Sequence, residues 1–134
     1  MIRPLTDDER DAAVTLWRTC GLTRPWNDPH ADFDRALAGP GSTVLGHFED
    51  GALAGTAMVG HDGHRGWVYY LAVDPRDRGR QLGRALMAAC EAWLAERGAP
   101  KLNVMVRGDN AAARGFYEAL GYTLDDVVVY GRRF

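Results

Sequence analysis

The chain has 134 residues, 46% of them hydrophobic and 25% charged, an ordinary globular mixture that suits one domain spanning 1–134 with its own core. A net charge of −2 leaves no basic surplus for nucleic acid, and no apolar run approaches the ~18 residues needed to cross a membrane. The start, MIRPLTDDER, lacks an apolar signal core, and Cys20 and Cys90 have no metal-ligand spacing, so the expectation is a soluble cytoplasmic protein with buried free thiols and no metal.

In chain order, residues 1–5 read as a short strand. Thr6 with Glu9 three residues on forms a capping box, and Ala13, Leu16, Trp17 and Cys20 recur at helical spacing up to Gly21. Residues 22–29 hold two prolines and Trp26 and read as a rigid loop; Asp28-Pro29 caps a second short helix through Phe33 and Leu37. Residues 42–48 and 52–60 read as strands joined by a hairpin turn at Glu49-Asp50-Gly51. A glycine-flanked turn, Asp62-Gly63-His64-Arg65-Gly66, leads into a strand over 67–74. A helix follows and ends at Arg97-Gly98, then a strand over 101–106, a helix over 111–120 capped by Asp109-Asn110, and a closing pair of strands at 122–124 and 127–132. The order β-α-α-β-β-β-α-β-α-β-β is an α/β arrangement with a mixed sheet and helices packed on it.

The stretch YYLAVDPRDRGRQLGRAL, from Tyr69, organises the rest. A strand stopped by Asp74-Pro75 feeds a turn, Arg78-Gly79-Arg80-Gln81-Leu82-Gly83-Arg84, that opens directly into a helix. The first amides of a helix lack internal partners and the helix dipole is positive there, so the turn is an anion site suited to phosphate. No Gly-Lys-Ser/Thr follows it and the glycine spacing is not G-x-G-x-x-G, which argues against a P-loop or a dinucleotide fold. Arginine, which supplies nearly all the positive charge, suits planar oxyanion binding.

This stretch resembles the pyrophosphate loop of the GNAT acetyltransferases, Arg/Gln-x-x-Gly-x-Gly/Ala after a strand and an Asp/His-Pro turn. Arg78 and Gly83 fit the first and last positions, and Gln81 replaces the middle glycine. A second stretch, Asn110 to Tyr122, carries Asn110, Ala113, Tyr117, Gly121 and Tyr122 at the family's spacing. The resemblance runs along the whole chain and implies the GNAT fold, an α/β fold whose mixed, mostly antiparallel sheet carries helices on both faces, with acetyl-CoA as cosubstrate. It implies cofactor contacts from Leu71, Ala72, Val73, Arg78, Gly79, Arg80, Gln81, Leu82, Gly83, Arg84, Asn110 and Tyr117. The backbone N–H of Leu71 would stabilise the oxyanion and the Tyr117 phenol would protonate the leaving thiolate. Read without the family, Asn110 is first a helix cap and Tyr117 a half-core residue.

The acceptor would be a primary amine of a small molecule or a protein, acetylated by a monomer or homodimer. Many GNAT proteins place a Glu on the strand that is 67–73 here; this strand offers only Tyr69 and Tyr70, one lining the acceptor pocket and the other in the core. Asp28, Asp62 and His64 are left as bases acting through water. RPWNDP at 24–29 and DGHRG at 62–66 together look like a small bacterial subgroup of the family. Two readings of the first string stand side by side. Either Trp26 and Asp28 receive a cationic amine, or Trp26 staples the loop and Asp28 caps a helix. Two other readings of the whole chain are a non-catalytic acyl-CoA sensor of the same fold and an interaction module that binds no CoA.

Overall fold

A computed structural model describes residues 1–134. The elements are β1 (Ile2–Pro4), α1 (Arg10–Thr19), α2 (Pro29–Ala38), β2 (Ser42–Glu49), β3 (Ala52–His61), β4 (Gly66–Val73), α3 (Leu82–Glu96), β5 (Leu102–Val104) and α4 (Ala111–Ala119), with 3-10 turns at Asp7–Glu9 and Pro75–Asp77. They form one five-stranded sheet in the order β1-β2-β3-β4-β5. Every pairing is antiparallel except β4 with β5, which the α3 crossover makes parallel.

Period-2 alternation on the central strands builds two cores. Val44 and Ala72 face α1 and α2, where Trp17, Phe33, Val14 and Ala36 are buried. Leu45, Ala57, Val59 and Val68 face the other way, under Leu86, Met87, Cys90 and Leu94 of α3, with Phe116, Tyr117 and Leu120 of α4 packed at the side. Trp17, Phe33 and Leu86 are completely buried, and each such side chain contributes about 1.5–3 kcal/mol of transfer energy. The helices start where short polar side chains cap them: Asp28 accepts from the amides of His30 and Ala31, and Asn110 from that of Ala113. Glu9 accepts from the Thr6 amide at 2.9 Å, opening the 3-10 turn that leads into α1.

The α/β class and the mixed, mostly antiparallel sheet with helices on both faces are as the sequence predicts, with one correction. No strand forms after α4: residues 123–134 are irregular and make no backbone–backbone hydrogen bonds. A β-branched run such as Val127-Val128-Val129 becomes a strand only where an edge supplies a ladder, and β5 is regular for just three residues. The tail is held by side chains instead, Lys101 to Asp125 at 2.6 Å and Arg133 to Asn27 at 3.2 Å. Val127, Val128, Val129 and Tyr130 stay exposed.

Candidate active site

The site begins with an irregularity in β4. Met58 pairs with Tyr69, but Thr56 pairs with Ala72, so the single residue Ala57 of β3 lies opposite two of β4, Tyr70 and Leu71. The extra residue makes a bulge, and Tyr70 sits in it with φ of +51°. Below the bulge, the Gly66 amide donates to Lys101 on the β5 side. Above it, the Asp74 amide donates to Ala54 on the β3 side. By antiparallel alternation Ala72 then faces β3, while the backbone groups of Leu71 and Val73 face away from it. In an unbroken strand Leu71 would have pointed at β3 like Tyr69. The bulge is what turns its amide outward.

The open edge lies in a wedge. β5 pairs with β4 only at Gly66, Trp67 and Val68, and its last strand residue is Val104, so from Tyr69 to Val73 β4 is paired with β3 but has no strand on its other side. Half-exposed Met105 follows directly on β5. The Val73 carbonyl accepts from the half-buried Cys20 thiol at 3.3 Å.

At the end of β4 the chain makes the arginine-rich turn and enters α3. Gly79 has φ of +84°, and Gln81, the N-cap, has φ of +63°. Gln81 thus holds a left-handed conformation that glycine adopts without a steric cost. Its side chain makes no cap, so the amides of Leu82, Gly83 and Arg84 open α3 without a side-chain partner. Arg80 is engaged by Asp77 at 3.2 Å and Glu49 at 3.7 Å, and Arg76 by Asp74 at 3.0 Å. Arg78 and Arg84 are exposed and form no ion pair. The bare Cα of Gly83 makes room for Phe116: a Cβ there would meet the ring at 3.2 Å.

Tyr117 lies on α4, half-buried between Phe116 and Tyr122, whose ring centroids are 5.0 and 5.8 Å from its own. Phe116 and Leu120 are half-buried as well, so one stripe of α4 carries all three. Burial, with a smaller contribution from Cys90, pushes the Tyr117 phenol up to about 12. It is therefore a proton donor throughout the neutral range.

On the far side of the sheet, Trp26 is 53% exposed and does not staple its loop to the core. The Arg133 guanidinium lies 5.6 Å from its ring centroid. Asp28 caps α2 through one oxygen. Tyr69 is exposed, whereas Tyr70 is packed under α1. Asp62 accepts from the amides of Arg65 and His64 and from the Trp67 indole, and these bonds hold its pKa below the usual carboxylate range. It anchors the 62–66 turn and is a poor base. His64 is exposed in that turn.

Residues 5–122 match the acetyltransferase (GNAT) family. An acetyltransferase of Yersinia pestis is 44% identical over 132 residues, 98% of this chain and 94% of the relative. The chain belongs to the acetyltransferase (GNAT) family. Among solved structures, the ribosomal-protein-S18-alanine N-acetyltransferase of Escherichia coli is 28% identical, with TM-score 0.78 over 90% of this chain and 76% of its own. The aminoglycoside N-acetyltransferase AAC(6')-Iy in complex with CoA shares the fold, with TM-score 0.85 at 19% identity, over 99% of this chain and 93% of its own. No helix of this acetyltransferase is long and apolar enough to cross a membrane.

Sequence reasoning missed the residues that surround the bulge. Thr56, fully buried, accepts from the Trp17 indole at 2.9 Å and donates to the Tyr70 carbonyl at 3.0 Å. The Tyr70 hydroxyl donates to Asp32 Oδ2 at 2.7 Å. Burial first, and then this bond, raise the Tyr70 pKa well above that of a free phenol. Nothing in the local pattern marks these contacts, because their partners lie 14 to 39 residues apart.

Proposed function

We propose that this acetyltransferase moves the acetyl group of acetyl-CoA to a primary amine of a small molecule or a protein, by direct attack of the amine on the thioester. The observation that carries this reading is the wedge, in which the outward-facing backbone of Leu71 and Val73 leads to the uncapped first turn of α3. The pyrophosphate fits the amides of Leu82, Gly83 and Arg84 with Gly79 and Gln81 in the turn, and Arg78 and Arg84 add charge. Arg80, held by two carboxylates, acts more on the shape of the turn than on the phosphate. The pantetheine arm would run along Leu71, Ala72 and Val73, with the remaining amide group of Asn110 at its side. Ala72 lies between Leu71 and Val73 with its amide toward β3 and its side chain buried against α1 and α2, so it shapes the edge and donates nothing to the arm.

The Leu71 N–H is aimed where the oxyanion develops, and such a fixed donor acts as charge appears. The Tyr117 phenol protonates the departing thiolate. Trp26, Asp28 and Tyr69 line the approach of the amine, whose proton leaves through water because β4 carries no carboxylate. The N-acetyltransferase activity in the names of the solved neighbours supports an amine acceptor. We also read residues 1–134 as one cytoplasmic domain, which cell fractionation of the tagged protein checks. RPWNDP and DGHRG mark its subgroup.

The test is calorimetry with acetyl-CoA, followed by release of CoA thiol with kanamycin, spermidine and a peptide beginning with alanine. Binding of acetyl-CoA together with thiol release by at least one amine is the expected result. No heat at millimolar acetyl-CoA would end the reading.

A further inference from the structure

The amide direction of Leu71 depends on a bulge that β4 does not hold by itself. Tyr70 is a bulky residue in the left-handed region, an unfavourable conformation unless the surroundings impose it. Three fixed contacts impose it here. The Tyr70 ring stacks on the fully buried Trp17 ring, with centroids 3.9 Å apart and planes at 11°. The Tyr70 carbonyl is held by the Thr56 hydroxyl, which is itself oriented by the Trp17 indole. Thr56 also pairs with Ala72 in the ladder above the bulge, so one residue fixes both limbs of the irregularity. The Tyr70 hydroxyl, finally, is bonded to Asp32 of α2, and Arg35 bonds the other oxygen of that carboxylate.

We propose that Trp17, Thr56, Tyr70 and Asp32 form a positioning network that locks the β4 bulge and ties it to α2. This inference rests on the acetyl-transfer reading. Its consequence is a division of labour. Thr56 keeps the Leu71 amide aimed into the wedge, so its hydroxyl acts on the chemical step through another group. The Tyr70–Asp32 bond fixes α2, and with it the 22–28 loop that Asp28 joins to α2, against the strand that carries the thioester. Thr56 and Tyr70 touch neither substrate. They set the distance between the acceptor side of the sheet and the cofactor side, where small misplacements have large kinetic effects.

The test compares Thr56→Val, Thr56→Ser and Tyr70→Phe, each by amide hydrogen exchange at 71–73, calorimetry with acetyl-CoA, and turnover with whichever of kanamycin, spermidine or the alanine peptide reacts. Thr56→Val keeps the shape and removes the hydroxyl. It should speed exchange at 71–73 and lower kcat at least about tenfold, with KM for acetyl-CoA within about threefold. Thr56→Ser restores the hydroxyl and should recover kcat to within about threefold, which separates positioning from stability. Tyr70→Phe keeps the stacked ring, so it should fold and should mainly raise KM for the amine. Adding Asp32→Asn to it should bring little further loss, since both changes cut one bond. Unchanged exchange at 71–73 in Thr56→Val, or faster exchange with unchanged kcat, would overturn the proposal. So would a failure of Thr56→Ser to recover activity. If the unaltered protein turns over none of the amines, the acetyl-transfer reading falls on that result, while the exchange data still decide whether the network holds the bulge.

Discussion

Gly83 of α3 packs against Phe116 of α4: a Cβ built on Gly83 would stand 3.2 Å from two atoms of the Phe116 ring. The glycine therefore serves packing, whatever its amide binds. Gly83→Ala should be close to neutral in a denaturant melt, because the gain of ~1 kcal/mol in helix preference offsets a small displacement of the ring. Gly83→Val adds two branched methyls at the same place and should cost ~1–3 kcal/mol. A valine variant as stable as the parent would show that Phe116 is not held against α3.

Gln81 stands at φ of +63° where glycine would carry no steric cost. Such a conformation costs a residue with a Cβ ~1–2 kcal/mol, part of which glycine gives back through the flexibility of the unfolded chain. Gln81→Gly should thus melt at or slightly above the parent. It should also keep CoA affinity within about tenfold, or ~1.4 kcal/mol, if only the backbone of residue 81 contributes. Calorimetry decides it: a larger loss would assign the glutamine side chain to the cofactor.

The sequence makes the elements up to α4 legible because each has local punctuation: Asp28-Pro29, Asp74-Pro75, Arg97-Gly98 and Asn110 mark ends by backbone chemistry that needs no tertiary partner. The strand-turn-helix at Tyr69 to Leu86 is legible for the same reason. The bulge is not. Period-2 reasoning puts Tyr70 and Ala72 together opposite Leu71, and those two do share one core while Leu71 packs against the other. It also puts Val68 with Tyr70, and the inserted residue separates them. A one-residue insertion leaves no compositional trace. The Tyr70–Asp32 bond, across 38 residues, is equally invisible. The tail fails differently. Its valines have the right propensity, but no edge pairs with them, and propensity without a partner does not make a strand. Asp62, read as a distant base, proves to be the anchor of its own turn.

Glu9 gives an acid-side prediction. Its carboxylate accepts two bonds from the Arg3 guanidinium, at 2.8 and 2.7 Å, and this pairing above all lowers its pKa to about 2. A carboxylate whose folded pKa lies below its unfolded one, ~4.3, stabilises fully above that value and loses the contribution as pH falls through the folded one. Stability should therefore decline between roughly pH 4.5 and 2. Glu9→Gln should remove ~1 kcal/mol at neutral pH and flatten that limb of the curve. Equal acid slopes in the two proteins would remove the Arg3–Glu9 pair from the account.

Tyr117 supplies the test of mechanism. Its hydroxyl has no hydrogen-bond partner within the chain, and burial keeps it protonated with a pKa of about 12. Removing it should leave the fold intact: Tyr117→Phe keeps the ring against Phe116 and Tyr122, so its melting temperature should match the parent's near neutral pH. The parent should lose more stability than the variant as pH rises from ~10 through 12, because ionising this phenol is harder in the folded state than in the unfolded one, while the raised phenols of Tyr70 and Tyr122 act equally in both proteins. A phenol that meets the departing sulfur acts mainly as charge develops there, so kcat should drop at least about tenfold, within the ~10²–10⁴ typical of general acids, while CoA affinity is retained. That holds where chemistry limits turnover, so single-turnover rates should be measured beside the steady state. An unchanged single-turnover rate would leave water or a backbone group to protonate the thiolate. A variant that melts early would instead make the Tyr117 hydroxyl part of the packing between α3 and α4.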